Sequence, residues 1–251
     1  MKLTILGSGT YSPEIDRATG GYLLEADDKK ILFDFGRGVL NNLYKAGHKY
    51  GGIDCVALSH MHPDHYNDLL SYVHLLNNPP MQEAKRRKKV TLIGPEGFGK
   101  NIEHLLKSAN EEIDNKKVGL KEIVPYATEK IGNMEMKIYE TIHSADELCL
   151  SFRVEYNGKV FAYSGDTADS WGLRDAINDA DLAVVEATMP HNKLKPTHLS
   201  GYLAGKIAEK QNVSRLVLTH VRKFNTNVLE EAKENYNGEV TLAEDLMQFE
   251  I

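Results

Sequence analysis

Cysteine occurs only twice in the 251 residues, as Cys55 and Cys149, each inside an apolar run. Two such thiols exclude a disulfide framework and read as small core residues in a reducing compartment. No stretch approaches the roughly 18 continuous apolar residues of a membrane span. The opening run, Met1 to Gly7, is too short for the core of a secretory signal. Net positive charge is missing too: 36 acidic against 30 basic residues leave a formal −6. That balance excludes a broadly basic, nucleic-acid-coating surface but leaves room for a local patch. The glycine-rich Gly7-Ser8-Gly9-Thr10 lacks the third glycine and following helix of a dinucleotide-binding turn. No linker, low-complexity segment or tandem repeat divides the chain. The expectation is a soluble cytoplasmic protein, one domain over 1–251, with no membrane partner; a homodimer is an allowed assembly.

The composition is ordinary for a globular protein, at 41% hydrophobic and 26% charged. Lys2 to Leu6 predicts a strand. Tyr22 to Ala26 and Lys30 to Phe35 predict a hairpin about Asp27-Asp28, and Val39 to Ala46 a short helix. Ile53 to Leu58 reads as a buried strand, and the helix after it stops at Pro79-Pro80. Val90 to Ile93 is extended, followed by a helix to about Ser108 and a strand near Leu120 to Val124. Met134 to Thr141, Leu148 to Tyr156 and Lys159 to Tyr163 alternate as strands, the last two joined at Asn157-Gly158. Leu173 to Ile177, Gly201 to Lys210 and Val228 to Glu234 then read as helices, and Leu182 to Glu186 and Arg215 to Thr219 as strands. Hairpins followed by strand–helix units thus occur in both halves. That suits two mixed sheets packed face to face with helices outside.

Between strand and helix lies Ser59-His60-Met61-His62-Pro63-Asp64-His65, three imidazoles and a carboxylate within six residues. Imidazole and carboxylate are the usual ligands of zinc and related divalent ions, and a strand-to-helix loop is where a rigid scaffold positions function. The plainer alternative is a polar loop that caps the helix through Asp64. If the motif binds metal, further ligands should stand at strand ends downstream, and three residues do. His143 follows Met136 to Ile142, Asp166 follows Phe161 to Gly165, and His220 follows Leu216 to Thr219. Singly, each could be a hydrogen-bonded strand-end residue; the set points to a metal site. His48, His74 and His104 lie outside the pattern. Lys85-Arg86-Arg87-Lys88-Lys89 is the strongest charge run, either a solvated face or a contact to a phosphate backbone.

These residues carry a resemblance. Asp34, His60-x-His62-x-Asp64-His65, His143, Asp166 and His220 resemble the metallo-β-lactamase fold superfamily over Leu3 to His220. Phe33-Asp34-Phe35-Gly36, Ile93-Gly94-Pro95-Glu96-Gly97, Tyr163-Ser164-Gly165-Asp166-Thr167, Glu186-Ala187-Thr188, His198-Leu199-Ser200 and Leu218-Thr219-His220 are similar to its ribonuclease Z and phosphodiesterase branch. The resemblance implies an α/β (α+β) four-layered αβ/βα sandwich with a dinuclear site, usually zinc, with manganese or iron(II) as alternatives. His60, His62 and His143 would then bind one ion and Asp64, His65 and His220 the other, with Asp166 bridging. Asp34 would orient the ligand loop from behind. His198 would face the substrate, oriented by Glu186, with His191 as its substitute. Asp64, His198 and Glu186 make up the expected catalytic set.

Three departures limit the resemblance. Ribonuclease Z proteins carry a long basic arm that grips transfer RNA, and the interval from His143 to Asp166 holds only a tight hairpin. Pro63 replaces the glycine usual before the motif's aspartate. Phe33-Asp34-Phe35-Gly36-Arg37-Gly38 lacks the acidic residue and Thr-Gln that commonly follow. The expected function is a metal-dependent phosphodiesterase or nuclease. It would act through a metal-bound hydroxide on a phosphodiester, either a small nucleotide or RNA or DNA. A second reading keeps the ions and cleaves a carboxylic ester, lactone or thioester. A third, a non-catalytic metal-stabilised interaction domain, is disfavoured because all seven ligand positions are filled.

Overall fold

The computed structural model describes residues 1–80, 88–145, 147–193 and 195–251. Its strands form two seven-stranded mixed sheets. The first contains β1 (Lys2–Gly7), β2 (Gly21–Ala26), β3 (Lys29–Phe33), β4 (Cys55–Ala57), β5 (Val90–Gly94), β6 (Val118–Glu122) and β14 (Gln248–Glu250), in the order β14-β1-β2-β3-β4-β5-β6. The second contains β7 (Thr128–Ile131), β8 (Met134–Thr141), β9 (Cys149–Tyr156), β10 (Lys159–Tyr163), β11 (Leu182–Glu186), β12 (Arg215–Thr219) and β13 (Glu239–Leu242), in the order β13-β12-β11-β10-β9-β8-β7. Each sheet is antiparallel at one end and parallel at the other. β3 to β6 run parallel in the first, and β10 to β13 in the second.

Side-chain alternation builds the layers. In β2, Tyr22 and Leu24 face the opposite sheet while Leu23 faces helices; in β3, Ile31 and Phe33 face inward and Leu32 outward. β11 divides likewise, with Leu182 and Val184 inward and Ala183 and Val185 outward. The core between the sheets is aromatic: Phe33 lies 5.3 Å from Phe152 and 5.6 Å from Phe161, centroid to centroid. Helices α1 (Val39–Lys45), α2 (Pro63–Asn77) and α3 (Phe98–Ser108) cover the outer face of the first sheet, and α4 (Trp171–Ile177), α5 (Gly201–Lys210) and α6 (Val228–Lys233) that of the second. The result is the expected four-layered αβ/βα sandwich. The inner parallel strands β4, β5, β11 and β12 are almost wholly buried, as strands covered on both faces require.

The sequence expectations differ from the structure mainly at edges. β7, β13 and β14 were not legible because their residues are half-exposed or exposed, without the apolar alternation of a buried face. β6 sits two residues earlier than expected, since Val118 is the position buried against the core. The turn at Gly7 is a packing feature: a Cβ there would stand 1.8 Å from the Thr19 carbonyl oxygen. Both cysteines are free and buried. Burial pushes the Cys149 thiol up to about 12, which leaves it chemically inert. Among the described residues, no helix is long and apolar enough to cross a membrane. Lys85, Arg86 and Arg87 of the basic run lie outside the described residues.

Candidate metal centre

The residues singled out in the sequence stand at the carboxyl ends of β3, β4, β8, β10, β11 and β12, along one edge of the sandwich. Ending a strand there frees side chains to converge while the backbone behind them stays in a sheet. Two of them, Asp34 (φ 55°) and His220 (φ 53°), adopt the left-handed conformation. For residues with a Cβ this costs roughly 1–2 kcal/mol, strain of the kind that persists at sites where the surroundings overdetermine the geometry. At Asp166 the chain turns through Gly165, where a Cβ would meet the Leu150 carbonyl oxygen at 2.6 Å. The motif does not cap its helix through Asp64. The N-cap of α2 is His62, with no side-chain cap bond, and Pro63 takes the first turn.

The first cluster joins His60, His62 and His143. His60 Nε2 lies 2.9 Å, and His143 Nε2 3.1 Å, from His62 Nδ1. The outer nitrogens are already engaged: His143 Nδ1 lies 2.9 Å from the Thr197 carbonyl oxygen, to which it donates, and His60 Nδ1 lies 3.0 Å from Ser59 Oγ. Those bonds leave both Nε2 atoms as lone pairs facing a third nitrogen, an arrangement that suits a cation. Burial holds His60 well below the usual histidine range, and the neighbouring His65 adds to it. Burial, then His143, lowers His62. Neutral imidazole is the form that binds metal.

The second cluster joins Asp64, His65 and His220. His220 Nε2 lies 3.3 Å, and His65 Nε2 3.7 Å, from Asp64 Oδ2. Thr188 Oγ1 donates to the His220 carbonyl oxygen at 2.9 Å, so it accepts from His220 Nδ1 at 2.8 Å and turns Nε2 inward. His65 Nε2 is buried with no hydrogen-bond partner among the described residues. Burial alone would depress His65, but the carboxylates of Asp166 and Asp34 outweigh it and hold its pKa well above 6.5. An orphaned nitrogen with strong cation affinity, among carboxylates, fits a divalent ion.

Asp166 stands between the clusters. Its Oδ1 lies 3.5 Å from His65 Nε2 and 3.5 Å from His220 Nδ1, while Oδ2 lies 3.8 Å from His143 Nε2. Burial would raise its pKa, but the charges of His220 and His65 hold it well below the usual carboxylate range. Asp34 lies behind both clusters and is fully buried. It accepts from Ser59 N (2.7 Å), Ser59 Oγ (2.8 Å), His65 Nδ1 (2.7 Å) and Tyr163 OH (2.5 Å). Through His65 directly, and through Ser59 to His60, this one carboxylate fixes a histidine in each cluster. Ser59, Tyr163, Thr188 and Thr197 were given no role from the sequence. Ser59 adjoins the motif, and Tyr163 and Thr188 lie in stretches that carry the resemblance; Thr197 is brought in only by the fold.

His198 is half-buried, with Nδ1 2.7 Å from Oε1 of fully buried Glu186. Its ring lies 4.6 Å from that of His143, and it groups with His143 and Asp166. Burial disfavours the imidazolium, but Glu186, by hydrogen bond and then by charge, raises the pKa. Glu186 is held in turn by the backbone N–H groups of Thr167 (2.9 Å) and Thr188 (3.0 Å). His191 is no substitute: it is exposed, with Nδ1 3.2 Å from Ser200 Oγ and its ring on Tyr202. His48 and His74 pair elsewhere with Glu25 and Glu111, and His104 is exposed.

A family model described as "Beta-lactamase superfamily domain" matches residues 29–221. "Probable metallo-hydrolase YhfI" of Bacillus subtilis (strain 168) is 28% identical over 254 residues, covering 97% of each chain. Its crystal structure superposes with a TM-score of 0.85, at 24% identity and 99% coverage of both chains. Ribonuclease Z of Borrelia hermsii (strain HS1 / DAH) is 26% identical over 307 residues, covering 98% of this chain and 95% of the relative. That alignment is longer than this chain of 251 residues, so the relative carries insertions absent here. The structure of human tRNase Z, short form, superposes with a TM-score of 0.81, at 23% identity, covering 100% of this chain and 99% of the other.

Proposed function

The chain belongs to the β-lactamase superfamily, and we propose that it is a metal-dependent phosphodiesterase with a dinuclear centre. His60, His62 and His143 would hold one ion and Asp64, His65 and His220 the other, with Asp166 between the two groups. A donor set of five imidazoles and two carboxylates suits zinc, with manganese or iron(II) as alternatives. When bound, two such ions supply Lewis acidity toward a phosphoryl oxygen and lower the pKa of a water from 15.7 to about 7.

The remaining steps fall to the chain's own side chains. Asp34 holds the ring planes of His65 and, through Ser59, of His60, so the ligand loop does not reorganise during the reaction. His198 keeps a proton on Nδ1 against Glu186 and presents Nε2 to the site. As imidazolium it protonates the departing oxygen of an alkoxide leaving group. The observation that carries the phosphodiester reading is the pairing of half-buried His198 with buried Glu186, which the two three-residue metal clusters do not need and leaving-group protonation does. Names of the relatives agree, since ribonuclease Z acts on a phosphodiester backbone. The insertions missing here argue for a substrate that needs no long gripping arm.

His198→Ala is the test. Hydrolysis of a dinucleotide, whose leaving group is a poor one, should fall by about 10²–10⁴ in kcat, the usual span for a lost general acid. Metal content should stay unchanged. An undiminished kcat would remove His198 from the reaction, and loss of metal would make it a ligand instead.

A further inference from the structure

Two large aromatic side chains are exposed on the loops that follow β1 and β12, Tyr11 at 62% and Phe224 at 67%. They come from loops far apart in sequence, and Arg222 joins them. Its guanidinium carbon lies 4.9 Å from the Tyr11 ring centroid and 5.8 Å from that of Phe224. Arg222 Nη2 donates to Tyr11 OH at 2.8 Å, whereas its Nε is buried with no hydrogen-bond partner among the described residues.

Hydrogen bonds fix the two loops together. His220 N donates to the Ser8 carbonyl oxygen at 3.1 Å, Arg17 Nη1 to that of Val221 at 2.8 Å, and Lys223 N to Glu14 Oε1 at 3.3 Å. Arg17 also engages the Glu14 carboxylate, at 3.3 Å, which leaves less of that charge to offset Arg222. The cluster begins two residues past His220, and Arg222 is within electrostatic reach of His198. Beside His62 the lining changes sign. A cavity of about 390 Å³ is bounded there by Met61, Pro95, Glu96, Asn101, Glu147 and Leu148, and both of its charged residues are acidic.

Exposed aromatic faces with an interleaved arginine are the means by which proteins hold unpaired bases, because every base offers a π-face and a guanidinium pairs with phosphate. We infer that Tyr11, Arg222 and Phe224 form a stacking platform for a nucleobase, with Arg222 contacting the phosphate next to the scissile one. The substrate is then a single-stranded nucleotide chain or dinucleotide, threaded over the His220 side and away from Glu96 and Glu147. The substrate assignment rests on the phosphodiesterase reading; the platform itself is tested by binding.

The probe is fluorescent tetrathymidylate with phosphorothioate linkages, which resists cleavage, titrated onto the metal-loaded protein and read by anisotropy. Phe224→Ala should weaken binding about tenfold, within the range for one lost base stack, and Phe224→Trp should retain it. Arg222→Gln should weaken binding and reduce the slope of log affinity against log salt by about 1. Dissociation constants within twofold of the unaltered protein in both Phe224→Ala and Arg222→Gln, or no binding by the unaltered protein, would overturn the platform. Circular dichroism on each variant separates these outcomes from misfolding. Hydrolysis of methyl p-nitrophenyl phosphate by the unaltered protein tests the reaction separately. Binding without hydrolysis keeps the platform and discards the phosphodiesterase, and hydrolysis with unaffected binding in the variants does the reverse.

Discussion

Asp166→Asn should abolish measurable hydrolysis and leave the purified protein with fewer than two ions per chain. The two oxygens of this carboxylate face different clusters, with Oδ1 toward His65 and His220 and Oδ2 toward His143. Asparagine keeps the size but offers a single acceptor and no charge. Loss of a group that merely orients a ligand costs about 10–100-fold in metal affinity or activity. Loss of a shared ligand should exceed that range. The neutral side chain also removes the anion that offsets cationic charge among buried imidazoles, so repulsion adds to the lost bond. Metal analysis beside the hydrolysis assay separates the cases. An Asp166→Asn protein that still holds two ions would show that Asp166 is no bridge.

Asp34→Asn is the second large effect, and it falls on stability as well as activity. Four donors converge on this fully buried carboxylate, and an amide in its place turns an N–H₂ group toward some of them. Breaking a buried charged interaction by changing one partner costs about 3–5 kcal/mol. In a chain of this length that is a fall of roughly 10 °C in melting temperature. Activity should fall further than the folded fraction accounts for, because His65 loses the acceptor that fixes its tautomer and His60 loses the Ser59 relay. The informative comparison is metal affinity in the cold, where the variant is folded. A variant that melts early but binds metal as the original does would confine Asp34 to a structural role.

How much of this was legible in the sequence depended on whether a feature is local. His60, His62, Asp64 and His65 lie within one turn of chain, so their chemistry could be read directly. His143, Asp166 and His220 could be read because each follows a run of strand-forming residues, and a ligand at a strand end is rigidly held. The layers were legible because Tyr22, Leu24, Ile31 and Phe33 alternate with residues of the opposite face. Edge strands such as β7 and β13 were not, because a half-exposed strand shows no apolar periodicity. Tyr163 gave no sign that its hydroxyl would reach Asp34, since an aromatic at a strand end is ordinarily just core. Nor could Tyr11 and Arg222 be paired, because only the meeting of two distant loops brings them together.

The count of metal ions in the purified, dialysed protein tests the central claim most directly. Elemental analysis of the unaltered chain should give two divalent ions per chain, and removing them with a chelator should abolish hydrolysis that zinc then restores. One ion or none per chain after loading with zinc, manganese or iron(II), or full hydrolysis after their removal, would contradict the dinuclear centre.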